Sequence, residues 1–333
     1  MARFSYGGQA LIEGVLMRGR NVIAVALRHP DGRIVWADEK LAVGFRATRW
    51  ARLPFVRGLV VLYETLVVGT RWLVRSAGVA AVEELAPLPP APSAPPAVNP
   101  AADSADLGKG AVALMLGLTL VVGVGLFFFL PLLLAKAIAG GQSSVVERAV
   151  EGVIQVAIFL GYLLLIGRTS DVRRTFQYHG AEHMTIHALE AGDPLTVDAV
   201  RKYPTAHPRC GTEFLVVVIL VSIVVFSVVG RQAIPVMVAS RIVLIPVIAG
   251  ISYELLRFGA RHRDSRIVRW IFEPGIWVQK ITTKQPTDDM LEVAIVSLEQ
   301  ALLADDEALP DGAGRIGRSP LMISAKASPA AEA

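Results

Sequence analysis

The stretch AVALMLGLTLVVGVGLFFFLPLLLA, residues 111–135, carries no charged side chain. A helix needs about 20 such residues to cross the hydrocarbon core of a bilayer, which is about 30 Å thick. Three more apolar runs of similar length follow, at 149–167, 214–230 and 234–256. The four runs predict a mainly α-helical, polytopic membrane protein with about four transmembrane helices, surrounded by the lipid bilayer.

The composition agrees with this class of protein. Hydrophobic residues make up 53% of the 333 residues, whereas about 45–50% is usual for soluble domains. Aromatic residues make up 7% and the formal net charge is +4, so the chain lacks the strongly basic, aromatic surface typical of nucleic-acid-binding proteins. Because Cys210 is the single cysteine, an intrachain disulfide is excluded.

Residues 1–52 are expected to form a small extramembrane unit that contains a β-hairpin. The segment VIAVALRHPDGRIVWA, residues 22–37, has two runs of β-prone residues joined by the turn sequence HPDG. Proline and glycine in that order suit a reversal of the chain. The rest of the chain is therefore expected to supply the helical, membrane-spanning part.

Residues 53–85 have the periodicity of an amphipathic helix. Arg57, Glu64, Arg71 and Arg75 recur at intervals of seven and four, which places them on one helical face. Charges along one face favour a helix that lies at the membrane interface or packs on protein over a helix that spans the bilayer.

Two segments lack the pattern of a folded element. Residues 86–110 are rich in proline and alanine, which predicts a flexible or polyproline-like linker. Residues 304–333 are mostly alanine, glycine, serine and proline in no pattern, and we expect a disordered tail there.

The order of the remaining segments gives a topology. Transmembrane helices one and two are predicted at 111–167, a loop at 168–213, helices three and four at 214–256, and a C-terminal segment at 257–303. That last segment should contain an amphipathic helix with the N-cap sequence TDD. Its expected apolar face consists of Leu291, Ile295, Leu298 and Leu302.

Basic residues near the spans predict the orientation, because Lys and Arg tend to stay on the cytoplasmic side. The 168–213 loop carries Arg168, Arg173, Arg174, Arg201, Lys202 and Arg209. The segment after the fourth span carries Arg257, Arg261, Arg263, Arg266 and Arg269. The loops on the other side carry little more than Lys136, Arg148 and Arg231. Both termini and the 168–213 loop are thus predicted to be cytoplasmic.

Two charged residues fall within the fourth apolar run. Arg241 and Glu254 would be costly in lipid and should face protein or water. Two simpler alternatives are that Glu254 sits at the interface and that Arg241 extends outward along the helix to the headgroups.

The sequence YHGAEHMTIH, residues 178–187, places three histidines and a glutamate in the 168–213 loop. A helix from about 177 to 191, stopped by the Gly-Asp pair that follows, would align His179, His183 and His187 in one column. The pattern H-x-x-E-H allows His179 and His183 to bind one zinc ion, with Glu182 next to it. The cluster therefore predicts a metal site, and the alternative is a solvated polar helix face.

A second segment, HPRCGT at 207–212, strengthens this prediction. His207 and Cys210 lie on the same predicted side of the membrane as the helix. Together with His179 and His183 they would form a closed four-ligand site, whereas three ligands plus water would leave an open, catalytic one. Alternatively, Cys210 packs as a small hydrophobe at a span boundary. His187 and Glu213 are interpreted as surface or interface residues rather than ligands.

Several sequence blocks resemble the YqhQ-like family of bacterial membrane proteins, an uncharacterised family. These blocks, in order along the chain, are GGQALIEGVLMRG, YHGAEHMTIHALEAG, LTVDAVRKY, HPRCGTEFL, PVIAGISYELLRF and PGIWVQKITTKQP. The resemblance implies a metal-dependent enzyme in the bacterial inner membrane. It also implies polar motif positions at His179, Glu182, His183, His207, Cys210, Gln9, Glu13, Arg18 and Glu254. Met184 and Glu213 depart from the family pattern, which has lysine and a small hydroxyl residue there, and His187 is not a motif position.

These observations support a zinc protein with His179, His183, His207 and Cys210 as ligands. In the first hypothesis it is a hydrolase at the cytoplasmic membrane surface, with Glu182 as general base and a peptide, a lipid headgroup or a smaller molecule as substrate. In the second hypothesis it is a non-catalytic membrane scaffold with a structural zinc site. A small-solute transporter is a weaker third hypothesis, because four spans are few.

Overall fold

The computed structural model describes six segments of the chain, which are residues 6–41, 53–81, 109–207, 210–229, 234–262 and 265–321. Almost all of the predicted 86–110 linker, and the tail from residue 322, lie outside the described residues.

The N-terminal unit is a sheet of antiparallel strands. The strands are β1 (Gly7–Leu11), β2 (Gly14–Arg18), β3 (Val22–Arg28) and β4 (Ile34–Lys40). Each strand pairs with the next one in sequence. The predicted hairpin is confirmed as the β3–β4 pair, whose turn places Gly32 at a φ of +89°, a backbone conformation that glycine adopts readily. Two further strands precede it.

Helices make up most of the rest of the described chain. In chain order they are α1 (Val56–Ala81), α2 (Lys109–Val124), α3 (Leu130–Ala139), α4 (Ser144–Ile166), α5 (Ser170–Ala191), α6 (Val197–Val200), α7 (Gly211–Val229), α8 (Ile234–Arg261), α9 (Arg266–Thr282) and α10 (Asp288–Ala304). A π-helical segment, Gly125–Phe129, joins α2 to α3. A short strand, β5 (Ser319–Pro320), pairs in parallel with β4.

Four of these helical segments have the length and apolar composition of membrane spans. They are Gly117–Ala139, Val145–Ile166, Gly211–Val229 and Ala239–Arg261. The predicted membrane class and the predicted number of spans are thus confirmed. The segments pack on one another through two apolar clusters, one built around Val217, Phe226 and Ile248 and the other around Phe159 and Leu163.

Both faces of the N-terminal sheet are covered by helices. Along β3, Ile23 and Val25 point to the face that carries Trp72 of α1, whereas Ala24 and Ala26 point to the face covered by α10. Side chains alternate between the two faces of a strand, and here both alternating sets are buried. The sheet is therefore the middle layer of the extramembrane unit.

Helix α10 differs from the one-faced amphipathic helix predicted from sequence. Its N-cap is Thr287, as predicted, but its polar residues Ser297, Glu299 and Gln300 are buried together with its apolar ones. Polar groups inside a protein need partners, and the Ser297 hydroxyl donates to the Val15 carbonyl at 3.0 Å. The helix is enclosed because it lies between the sheet and α5.

The predicted tail also differs from expectation. Up to residue 321 the described part of it is structured, because it supplies partners to the buried carboxylate of Glu299. The main-chain N–H of Gly314 donates to Glu299 at 2.9 Å, and the Arg318 guanidinium forms an ion pair with it. Strand β5 follows directly, so the C-terminal segment completes the edge of the N-terminal sheet.

Helix α1 uses its predicted charged face to contact protein. Arg57 forms an ion pair with Glu254 of α8, and Arg71 forms one with Glu39 of β4. Side chains elsewhere on α1, such as Tyr63, are exposed. Glu254 is thus paired with α1, in agreement with the expectation that it faces protein or water.

Arg241 is buried rather than extended towards the headgroups. Its guanidinium forms an ion pair with Glu151 of α4, which also accepts from Arg148 at 2.8 Å. All three side chains are buried. A charge within a span needs such a partner because lipid offers none, so the outward-extending alternative is wrong.

Strand β1 lies directly on α5 at Gly8. A Cβ at this position would come within 2.4 Å of the Leu16 carbonyl oxygen and 3.0 Å of the Glu182 Cγ. Only glycine allows the strand to approach so closely. At the neighbouring Gly7, an added Cβ would meet nothing within 4 Å.

We expect Gly8→Ala to lower the free energy of unfolding by about 1–3 kcal/mol, the usual cost of overpacking a well-packed site. Gly7→Ala is the matched control and should leave stability unchanged. Thermal unfolding of the purified protein in detergent measures the difference. Equal melting temperatures for the two variants would contradict the crowding of Gly8 between β2 and α5.

We also expect Arg318→Ala to destabilise the protein by about 3 kcal/mol, because it leaves the buried charge of Glu299 without its cationic partner. Arg315→Ala removes an exposed arginine three residues away and serves as the control. Melting temperatures in detergent report the effect. Adding Glu299→Gln to the Arg318→Ala variant should restore part of the loss, and a failure to do so would argue against the ion pair as its cause.

Candidate metal centre

Helix α5 carries the residues of the candidate site. It follows the N-cap Thr169, and Gly192, at a φ of +77°, ends it in the left-handed conformation that glycine favours at helix C-termini. The predicted stop after residue 191 is thus confirmed, whereas the helix begins at Ser170, earlier than the predicted start near residue 177. The middle of α5 is buried, including Glu182 and His183.

A glycine inside α5 brings a neighbouring segment close to the site. A Cβ on Gly180 would lie 2.2 Å from the Lys284 carbonyl oxygen and 3.3 Å from the Thr205 side chain. Sequence reasoning did not single out Gly180. Its position in the middle of a helix could have pointed to it. A glycine there costs about 1 kcal/mol relative to alanine, which suggests that another segment packs closely against it.

Two histidines on one face of α5 have the same hydrogen-bonding arrangement. The Nδ1 of His179 lies 3.0 Å from the Thr282 carbonyl oxygen, and the Nδ1 of His183 lies 2.6 Å from the Thr205 carbonyl oxygen. A carbonyl oxygen only accepts, so each Nδ1 carries the proton and donates it. Each Nε2 is then unprotonated and carries a lone pair, as in histidines that bind metals.

Cys210 faces this pair of imidazoles. Its Sγ lies 3.2 Å from the Nε2 of His179. Potential ligand atoms of His179, His183 and Cys210 all lie within 4.8 Å of one another. Ligands of a tetrahedral zinc ion are about 3.5 Å apart, given bonds of about 2.0–2.3 Å. These three residues could therefore hold one metal ion.

The thiol of Cys210 is buried at the start of α7. The main-chain N–H of Thr212 lies 3.4 Å from Sγ, and the Thr212 hydroxyl lies 3.1 Å from it. Burial raises the pKa of the Cys210 thiol to about 12, and the negative charge of Glu182 contributes in the same direction. Without a cation nearby, the sulfur therefore stays protonated at neutral pH.

Glu182 lies next to the two histidines with almost no exposed surface. Its Oε2 is 3.8 Å from the Nε2 of His183. Burial raises the pKa of Glu182 to about 7, although His179 and the main-chain N–H of Gly8 act in the opposite direction. The carboxyl group can thus gain or lose a proton near neutral pH.

His183 is suited to act as a neutral ligand. Burial lowers the pKa of this imidazole to about 2, and the neighbouring His179 lowers it further. The ring is therefore neutral at physiological pH, and a neutral imidazole is the form that binds a metal.

His207 lies beside this group and is not part of it. Its ring centroid is 5.7 Å from that of His183, and its main-chain N–H donates to the Gln279 side chain at 2.9 Å. The ring instead approaches Glu190, with Nε2 at 3.3 Å from Oε2. His207, Glu190 and His187 form a second group whose potential ligand atoms lie within 4.8 Å of one another.

The structure thus brings together His179, His183 and Cys210 and places His207 in a neighbouring group. Sequence reasoning did not count Glu190 as a potential ligand, although its spacing of three from His187 puts both on one helical face. Glu213, interpreted from sequence as a surface or interface residue, is buried at the start of α7.

Polar residues of the N-terminal sheet attach it to the helices around the site. Glu13 accepts from Arg174 of α5 at 2.6 Å, and Arg18 donates to Glu64 of α1 at 3.2 Å. The Gln9 side chain lies against Gly69 of α1, where it would collide with any Cβ. These three residues position the sheet and are not among the potential ligands.

Comparisons with known proteins agree with the family resemblance. A family model described as "Protein of unknown function (DUF1385)" matches residues 53–304. The "Uncharacterized protein YqhQ" of Bacillus subtilis (strain 168) is 30% identical over 306 residues, which cover 90% of this chain and 92% of that protein. No solved structure matches the chain. The chain therefore belongs to the DUF1385 family, whose model matches most of its length.

Proposed function

We propose that this membrane protein is a zinc-dependent hydrolase whose ligands are His179, His183 and Cys210 and whose general base is Glu182. The observation that carries the proposal is the position of Glu182, a buried carboxyl group beside three potential ligands, with a pKa near neutrality. A general base works best when its pKa lies near the working pH.

The donor atoms favour zinc over other common metals. Two imidazole nitrogens and a thiolate suit zinc, whereas magnesium and calcium prefer oxygen ligands. The group supplies three protein ligands, and a catalytic zinc site keeps its fourth position open. A bound zinc ion would polarise a substrate carbonyl or phosphoryl group and lower the pKa of water.

The thiol adds a condition for binding. Because burial raises its pKa to about 12, the Cys210 sulfur becomes a thiolate at neutral pH only when a cation compensates its charge. Metal binding and loss of the thiol proton are therefore coupled. His183 needs no such change, since its imidazole is already neutral.

The arginines of the 168–213 loop support a cytoplasmic site. Helix α5 lies between the candidate spans of α4 and α7, and Arg168, Arg173 and Arg174 lie at its N-terminal end. Basic residues of this kind stay on the cytoplasmic side. The substrate would then be a molecule presented at the cytoplasmic surface of the bacterial inner membrane.

A structural zinc site is the second candidate. The burial of His183, Glu182 and Cys210 favours it, because a closed site excludes water. In that case Glu182 would be the fourth ligand, and the metal would hold α5 to the start of α7. Substitution of Glu182 distinguishes the two functions.

We expect the protein purified in mild detergent to contain bound zinc, and His183→Ala or Cys210→Ser to reduce it to background. Glu182→Gln should retain the metal, because the base is not a ligand, and should lower function at least roughly a hundredfold, as loss of a general base does. Elemental analysis measures the metal, and complementation of a deletion strain measures the function. His262→Ala, which changes an exposed histidine, is the control.

Absence of metal from the parent protein would overturn the proposal. Loss of metal from Glu182→Gln would instead favour the structural site, because it would show that Glu182 is itself a ligand. Full complementation by Glu182→Gln with the metal retained would exclude Glu182 as the base.

A further inference from the structure

We propose that His187, Glu190 and His207 form a second divalent-cation site next to the zinc site. The two groups share no residue, so each could hold a cation with its own ligands. It would make the centre dinuclear, with metal positions that follow one another along α5.

The geometry of the three side chains supports the proposal. Potential ligand atoms of all three lie within 4.8 Å of one another, and the Nε2 of His207 lies 3.3 Å from the Glu190 Oε2. The ring centroids of His187 and His207 are 4.5 Å apart. Two imidazoles and one carboxylate are the ligand set of many catalytic zinc sites.

The orientation of His187 is a second and independent observation. Its Nε2 lies 2.9 Å from the Ala206 carbonyl oxygen, so Nε2 donates its proton and Nδ1 keeps a lone pair. The ring also stacks on Tyr203, at a centroid distance of 5.9 Å and an interplanar angle of 8°. A hydrogen bond to a carbonyl and a packed ring are what fix a metal-binding imidazole in place.

The two groups differ in exposure and in chemistry. The His207 side chain is only 3% exposed, whereas that of Glu190 is 35% exposed. The second site therefore opens to solvent through its carboxylate and contains no thiolate. We expect it to bind a cation more weakly than the thiolate-containing site and to exchange it faster.

A titration with cobalt(II) tests the proposal, because only a cobalt ion bound to Cys210 gives a thiolate charge-transfer band. In metal-free protein in detergent, that band should saturate at one equivalent. The visible ligand-field bands should continue to grow up to a second equivalent. His187→Ala and Glu190→Gln should each abolish the second phase and leave the thiolate band unchanged. His262→Ala is the control for loss of a histidine away from both groups.

The outcomes separate this inference from the proposed function. Saturation of both signals at one equivalent would overturn the second site and leave the zinc site intact. A second equivalent that persists in both variants would show binding elsewhere and would also overturn it. Cobalt binding that gives no thiolate band and that is lost in His187→Ala would support the second site. It would also contradict the proposed role of Cys210 as a ligand.

Discussion

A buried imidazole must donate its N–H to an acceptor, because an unpaired polar group inside a protein costs about 1–3 kcal/mol. Helix α5 meets this requirement with main-chain carbonyl groups of two other segments. Thr205 and Ala206 accept from His183 and His187, and Thr282 accepts from His179. The same three hydrogen bonds hold α5, the 205–207 segment and the end of α9 together. The packing of these three segments and the orientation of the histidine rings therefore both follow from the need to satisfy the imidazole N–H groups.

The sequence was sufficient to predict the features that depend on local pattern. Long apolar runs identified the membrane class. The histidine spacing predicted the C-terminal part of α5, and the Gly-Asp pair after it predicted where the helix ends. The grouping of His207 with Glu190 was not predictable, because it depends on how the 205–207 segment crosses α5, and that crossing is set by long-range contacts. The burial of α10 on all sides was missed for a similar reason. From sequence, Ser297 and Glu299 look like residues of a solvent-exposed helix face. Their partners, the Val15 carbonyl and Arg318, are distant in sequence and become visible only in the structure.

The polar residues at family motif positions serve two different purposes. Cys210, Glu182 and the histidines surround the candidate centre, whereas Glu13, Arg18 and Glu254 form ion pairs between elements. A charged residue in an apolar context thus does not by itself indicate chemistry. The partner distinguishes the two sets. Glu13 and Glu254 are each neutralised by an arginine, and Arg18 is paired with a carboxylate.

The pairing of β4 with β5, and the packing of α10 on the sheet, set the order in which the chain can fold. Strands β1 to β4 are made first, but α10, which covers one face of their sheet, begins at Asp288, well after the last candidate span ends at Arg261. During synthesis the sheet thus stays open on that face until α10 has been made. Contacts of such high sequence separation form late, and exposed strands invite aggregation meanwhile. The extramembrane unit therefore cannot close before the residues of all four candidate spans have been made.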